Sequence, residues 1–190
     1  MSRPDRSAGA AVAVPGGAAG SAKRLLIVWH SRTGAARQMA EAAARGATRA
    51  AEELEEAANF AATLRRAADA MPDDVLASDG YLFCAPENLA SLSGEMKEFF
   101  DRCYYPVLDR IPGRAYALAI SAGSDGEGAA RQAARICTGW RLREAAPPVI
   151  VRLDAQTPQA ILAPKTVPAA ELARCEELGG LLAGLLLLQG

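Results

Sequence analysis

Histidine is almost missing from this chain: of 190 residues, only His30 is one. The four cysteines, Cys84, Cys103, Cys137 and Cys175, lie far apart and form no C-x-x-C pair. Together these shortages exclude a structural zinc site of the usual ligand set. A histidine-activated nucleophile has to use His30 or none. The chain is long enough to bury a core without staples, so buried or free thiols are expected rather than a disulfide framework. Charge of one sign is lacking as well. A formal net charge of −1 excludes the overall basicity of a dedicated nucleic-acid binder and argues against the acidic surface of a charge-steered electron shuttle. No long hydrophobic run occurs. The longest, Leu178 to Leu188, is interrupted by glycines and falls short of the ~20 residues that a membrane span needs. Residues 1–22, rich in Ala, Gly and Pro, hold Arg3 and Arg6 but no leucine-rich stretch of a signal peptide. They are expected to form a disordered tail before a single domain over residues 23–190, and cytoplasmic location is the default.

What is present is a globular composition, 51% hydrophobic and 23% charged, with much of the apolar share in alanine. Leu25 to Trp29, Gly80 to Ala85, Tyr116 to Ile120 and Val149 to Leu153 are continuous apolar runs, the pattern of strands buried on both faces. Asn59 to Leu64 is the only strand candidate in an otherwise helix-favouring stretch. Helical spacing follows each clear run. Ala36, Met39, Ala40 and Ala43 make one apolar stripe, with Gly46 as the expected terminator. Met96, Phe99, Phe100 and Cys103 make another, with Glu95, Lys97, Glu98 and Asp101 turned to water. A short helix is expected to enter through Pro72, and a last helix runs from Ala169 towards Leu188, after an irregular stretch with Pro158, Pro164 and Pro168. The apolar end of that last helix either packs on the sheet or leaves a patch for a partner subunit. Alternating strands and helices of this kind imply an α/β fold with a parallel sheet covered on both faces. Ligands in such folds sit at the carboxyl ends of strands, where the strand order reverses.

Three loops occupy that edge. Ser31-Arg32-Thr33-Gly34-Ala35-Ala36 passes from a buried strand to a helix N-terminus, where free amides and the helix dipole favour an anion. Arg32 either pairs with a phosphate or points into water, and Ser31 or Thr33 either assists the anion or merely caps the helix. The loop is neither a Walker A sequence nor a G-x-G-x-x-G fingerprint. The second loop, Pro86-Glu87-Asn88-Leu89-Ala90-Ser91, combines apolar faces with polar edges and suits a flat heteroaromatic ring. Its carboxylate, Glu87, either orients a substrate or caps locally. The third loop, from Ser121 to Gly128, is glycine-rich, which by itself is weak evidence. His30 is expected to contact the loop backbone rather than to act catalytically. Cys84, at a strand end, is expected to be buried and inert. Trp29 and Trp140 are expected to be packing residues.

Taken together, these segments resemble a known family. Ser31-Arg32-Thr33-Gly34 after Leu25–Trp29 looks like the phosphate loop of flavodoxin-like FMN proteins. Pro86 to Asp101, with Leu92-Ser93-Gly94-Glu95-Met96-Lys97 and Phe99-Phe100-Asp101, looks like the ring segment of NAD(P)H-dependent FMN reductases and of tryptophan-repressor-binding-protein-like quinone reductases. Ser121-Ala122-Gly123 is similar to their third flavin loop. The resemblance covers roughly residues 23–153 and implies a flavodoxin-like three-layer sandwich with a five-stranded sheet of order 2-1-3-4-5. It implies that Ser31, Arg32, Thr33, Gly34, Ala35 and Ala36 hold the FMN phosphate. Pro86, Glu87, Asn88, Leu89, Ala90 and Ser91 would border the ring, with Ser121 and Gly123 beside it. It further implies NADH or NADPH as reductant, a small-molecule electron acceptor and an oligomer in many relatives.

Three features depart from the family pattern. Ala36 stands where many such loops carry a hydroxyl. The ring loop has no aromatic, a lack that Tyr104, Tyr105 or a partner subunit would have to make good. The second strand is poorly formed. The leading expectation is an FMN-dependent NAD(P)H oxidoreductase. A one-electron carrier and a binding module that has lost FMN are the alternatives.

Overall fold

The computed structural model of the chain describes residues 21–188, so nearly all of the expected tail, along with Gln189 and Gly190, lies outside the described residues. In chain order the elements are β1 (Lys23–Trp29), α1 (Ala35–Glu53), β2 (Phe60–Arg66), α2 (Pro72–Leu76), β3 (Gly80–Asn88), β4 (Ser91–Leu92), α3 (Gly94–Val107), β5 (Ala115–Ala122), α4 (Glu127–Gly139), β6 (Arg143–Glu144), β7 (Val149–Arg152), α5 (Pro158–Leu162) and α6 (Ala169–Leu188). The main sheet runs β2-β1-β3-β5, all parallel, and β6 and β7 both pair with β5. Strand positions therefore follow the order 2-1-3-4-5, but the fifth is split. β6 meets the start of β5 at Ala115 and Tyr116, and β7 meets its end from Ala119 to Ala122. Pro147 and Pro148 lie between the two pieces and have no N–H to give to the ladder. With the hairpin strand β4 the sheet of the described residues has seven strands rather than five.

The two faces of the sheet are packed differently. Leu26, Val28, Tyr81 and Phe83 face α3 and α4, where Phe99, Phe100 and Trp140 surround Phe83 with ring centroids 4.8 to 6.3 Å away. Leu25, Ile27, Leu82 and Cys84 face the opposite side with Met39, Leu178 and Leu182. On that side α1 and α6 pack backbone to backbone. A methyl group at Gly46 would sit 1.9 Å from the Glu176 carbonyl oxygen, and one at Gly179 would sit 1.9 Å from that of Ala43. Gly46 thus lies in mid-helix at a crossing and does not end α1, contrary to the sequence expectation. The last helix packs on the sheet through Leu178, Leu182 and Leu186, while Leu181 and Leu188 stay exposed.

β2 alternates half-buried and exposed residues, as an edge strand does. Its half-buried Phe60, Ala62 and Leu64 pack against the α1 side. The irregular stretch after β7 contains one short helix, α5, opened by Thr157, whose hydroxyl accepts from the Ala160 N–H at 3.2 Å. Among the described residues no helix is long and apolar enough to cross a membrane, and no group of three His, Cys, Asp or Glu could hold a metal ion.

Candidate functional site

Two helices begin at the carboxyl edge of the sheet with the same geometry. α1 follows β1 and starts at Gly34, with φ 94°; α4 follows β5 and starts at Gly126, with φ 91°. Neither cap residue carries a side chain, and a left-handed φ of this size is one that only glycine adopts freely. Each helix therefore offers first-turn amides with no partner inside the helix. What fills them differs. The Glu87 carboxylate reaches across from β3 and accepts from the Gly126 N–H at 2.7 Å and from the Ala129 N–H at 3.4 Å. The cap is not the local one expected as an alternative for Glu87: it lies on a helix 39 residues further along the chain. At α1 the Ser31 hydroxyl takes the Gly34 N–H, but among the described residues no side chain accepts from the first-turn amides, and no acidic residue stands in that turn. The amides of Ala35, Ala36 and Arg37 point to an open end, the arrangement that takes an anion.

The loop leading into α1 is held from behind. Ser31 Oγ accepts from the Gly34 N–H at 3.0 Å. Gln38 donates through Nε2 to the carbonyl of Lys165 at 2.7 Å and to that of Gly34 at 3.1 Å, and its Oε1 accepts from the Val167 N–H at 3.1 Å. The Lys165 N–H donates to the Thr33 carbonyl at 2.7 Å. Gln38 and the 165–167 strap were missed by sequence reasoning, since nothing local marks a contact 127 residues away. Ala35 and Ala36 are buried at the base of the helix, and Arg32 is exposed with no ion pair or hydrogen bond from its side chain to a described residue.

The segment expected as a second loop is mostly strand. β3 continues through Pro86, Glu87 and Asn88, turns at Leu89 and Ala90, and returns as β4. Both turn residues have positive φ, 53° and 59°, the conformation of a two-residue hairpin that Asn-Gly adopts with little strain. The side chain of Leu89, expected to offer an apolar face, is fully exposed at the tip. The hairpin is tied to α4 by Glu87 and by the Leu92 N–H, which donates to Gln132 Oε1 at 2.7 Å. Ser121 is buried on β5, and the Gly123 carbonyl accepts from the Ala155 N–H at 3.0 Å. Tyr104 and Tyr105 lie near the far end of α3, roughly 16 Å of helix rise from its N-terminus. At that end of α3 the two rings lie edge to face, with centroids 5.0 Å apart.

His30 contacts side chains rather than the loop backbone. Its Nδ1 lies 2.7 Å from Ser93 Oγ, and its Nε2 lies 3.3 Å from Glu95 Oε2. A carboxylate only accepts, so Nε2 bears the proton and the Ser93 hydroxyl donates to Nδ1. Glu95, expected to face water, is instead half-buried beside the imidazole. Burial lowers the His30 pKa; Glu95 opposes this, and Arg32 and Arg66 add to it. Ser93 is wholly buried and is no exposed nucleophile. The pair joins the end of β1 to the start of α3 and so fixes the first two loops relative to each other. Cys84 is buried, and burial pushes its thiol well above the usual range, which fits the inert role expected of it.

An open parallel sheet with a helix N-terminus of unpartnered first-turn amides at its switch point, a hairpin on one side and a third loop beyond, defines an α/β protein of the doubly wound kind. The chain belongs to the NADPH-dependent FMN reductase family, which matches residues 30–148. A curated NAD(P)H dehydrogenase (quinone) of Acidithiobacillus ferrooxidans is 37% identical, over 42% of this chain and 46% of the relative. A flavodoxin of Aquifex aeolicus is 32% identical, over 55% of this chain and 53% of the relative. The chain thus spans about half the length of the curated relatives it matches. Among solved structures, an archaeal flavodoxin superposes with a TM-score of 0.67 at 17% identity, over 86% of this chain and 98% of the other. A flavodoxin, WrbA-like protein of Agrobacterium tumefaciens superposes with a TM-score of 0.66 at 15% identity, over 89% and 100%. At such identities these two structures establish the fold, which is flavodoxin-like.

Proposed function

We propose that the chain is an FMN-dependent oxidoreductase that takes reducing equivalents from NADH or NADPH and passes them to a quinone, a flavin or a similar small acceptor. The observation that carries this reading is the contrast between two equivalent helix starts: at α4 the Glu87 carboxylate reaches past the cap to the Ala129 N–H, whereas at α1 only the Gly34 N–H is taken, by Ser31, and the amides of Ala35, Ala36 and Arg37 have no side-chain acceptor among the described residues. The residues present fit FMN at its charged end. The amides of Ala35, Ala36 and Arg37 would hold the phosphate, with hydroxyls from Ser31 and Thr33, and Arg32 stands by as a cation. Pro86, Glu87, Asn88, Leu89, Ala90 and Ser91 would border the ring on the hairpin side, and Ser121 and Gly123 on the other. Bound there, the cofactor supplies the hydride and electron chemistry, and the protein supplies placement. His30 and Ser93 keep the phosphate loop in register with the hairpin, and Glu87 holds the hairpin against α4. In this reading the reaction requires no nucleophile from the chain, and its setting is the cytoplasm.

The curated relative named as a flavodoxin favours a second reading, a one-electron carrier. One experiment separates the two. The purified chain is titrated with FMN, following flavin fluorescence, and NADH or NADPH is then added to separate samples without air. FMN binding followed by bleaching of the flavin with either nucleotide alone supports the enzyme. Binding without bleaching supports the carrier, which needs a separate reductase. A folded sample with no affinity for FMN refutes both.

A further inference from the structure

We propose that the start of α1 takes up its anion together with a proton, and that the proton goes to His30. This rests on the reading above that the amides of Ala35, Ala36 and Arg37 seat a phosphate. His30 is the last residue before the loop that forms this seat, and it is the only histidine of the chain. Its backbone N–H donates to the Cys84 carbonyl at 3.0 Å, which fixes it against β3. Its Nδ1 lies 2.7 Å from the hydroxyl of Ser93, whose own N–H donates to the Pro86 carbonyl at 3.2 Å and closes the base of the hairpin. Its Nε2 lies 3.3 Å from Glu95 Oε2. The other oxygen of that carboxylate, Oε1, is buried and has no hydrogen-bond partner among the described residues. The Arg66 guanidinium lies 3.9 Å from it, too far for a hydrogen bond.

These contacts set the charge of the ring by opposition. Burial, the largest influence, disfavours the imidazolium; Glu95 from α3 favours it; Arg32 from the loop and Arg66 from the end of β2 disfavour it. The Ser93 hydroxyl adds resistance. It donates to a neutral Nδ1, and on protonation it must turn to accept and give its own proton elsewhere. Ser93 is wholly buried, and its hydroxyl has no second partner among the described residues. With the seat empty, the ring is therefore neutral at neutral pH. An anion in the seat reverses part of this balance. It pairs with Arg32, whose side chain has no hydrogen bond or ion pair to a described residue, and so weakens the repulsion on the imidazolium. It also adds a negative field of its own at the end of β1. The half-satisfied Glu95 carboxylate then gains a charged neighbour at Nε2. The coupling runs both ways: the anion favours the proton, and the proton favours the anion. Affinity for the anion climbs as pH falls through the His30 midpoint of the filled chain and levels off below that of the empty one.

The test follows the Hε1 resonance of the single histidine by NMR across about pH 5–8. The full chain is titrated alone, saturated with sulfate, and saturated with FMN. Sulfate keeps both charges over that range, so any proton taken up belongs to the protein. The amide signals of Ala35, Ala36 and Arg37 report that the ion is in the seat. Sulfate should raise the His30 midpoint by at least about half a pH unit, and its affinity should rise at least about threefold from the alkaline to the acid plateau. In H30Q the affinity for sulfate should not change with pH over this range. Glu95→Gln, at a side chain 37% exposed, should lower the midpoint of the filled chain and keeps the link testable should H30Q fail to fold. A midpoint that both ligands leave in place, a pH dependence that persists in H30Q, or a midpoint unmoved in Glu95→Gln would overturn the proton link alone. Failure of both sulfate and FMN to reach the seat would overturn the link and the functional reading together.

Discussion

Replacing Glu87 with alanine should cost stability. The carboxylate spans two amides of α4, at 2.7 Å to Gly126 and 3.4 Å to Ala129. The short bond is charge-assisted and of the kind worth about 1.5–3 kcal/mol. The long one is at the limit of a hydrogen bond and adds little beyond the attraction of an anion for a helix N-terminus, about 0.3–1 kcal/mol. Glu87 is only half-buried, so water recovers part of the loss once the carboxylate is gone. The expected net cost is about 2 kcal/mol, at the upper end for loss of an N-cap acceptor. For a chain of this size that lowers Tm by about 4–8 °C. Glu87→Gln keeps an acceptor oxygen but no charge and should lose about half as much. Thermal unfolding followed by circular dichroism near neutral pH measures all three proteins. Sulfate should raise the Tm of Glu87→Ala by more than that of the parent, because the bared amides offer it a second seat. The reasoning is refuted if Glu87→Ala melts within about 1 °C of the parent yet loses NADPH oxidation, since the carboxylate would then act on a ligand and not on α4.

Gly46→Ala gains about 1 kcal/mol of helix propensity, but its methyl would sit 1.9 Å from the Glu176 carbonyl oxygen. Overpacking of that kind costs about 1–3 kcal/mol or more, so urea unfolding should show a net loss; a more stable variant would contradict the close crossing of α1 and α6. The lowered pKa of His30 means that, between its folded and unfolded values, the unfolded chain binds more protons than the folded one. Stability is therefore lost as pH falls below about 6.5 towards the folded value and is unaffected by this group above it. His30→Gln should lack that component, and identical pH profiles of Tm for the two proteins would disprove it. The hairpin double variant Leu89→Asn with Ala90→Gly relieves two left-handed non-glycine residues, each costing about 1–2 kcal/mol. It should raise the urea midpoint, and an unchanged or lower midpoint would show that the turn carries no strain.

Sequence pattern revealed the elements that are buried on both sides. β1, β3 and β5 have no exposed face to interrupt their apolar runs, so a single sequence shows them. β2 is an edge strand with alternate residues exposed and alanine at two of its positions, and its local propensity is helical. Only pairing with β1 makes it a strand. Gly46 looked like a helix end because a glycine inside a helix is costly. The reason it is there, the passage of α6 against α1, lies about 130 residues further along the chain. The three loops were legible because strand ends can be counted. The hairpin was not, because Leu-Ala is not a turn dipeptide and the bonds that hold it come from α4, 39 and 40 residues away. The Glu87 ambiguity had the same source: a carboxylate beside a ligand seat and a carboxylate capping a distant helix read alike in one dimension.

That second possibility bears on selectivity as much as on stability. Gly34 and Gly126 open two helices with nearly the same backbone angles at the same edge of one sheet. Without Glu87 both would present bare amides, and a phosphate would have two seats of similar chemistry. Only the α1 seat is braced by the Gln38 and Lys165 contacts, and in the proposed reading only there would a phosphate direct the rest of a ligand over the hairpin. On that reading, the carboxylate in the α4 seat would remove the competing register and, by the same bonds, fixes the hairpin that the ligand would meet. Specificity would then come from closing the wrong site as well as from building the right one.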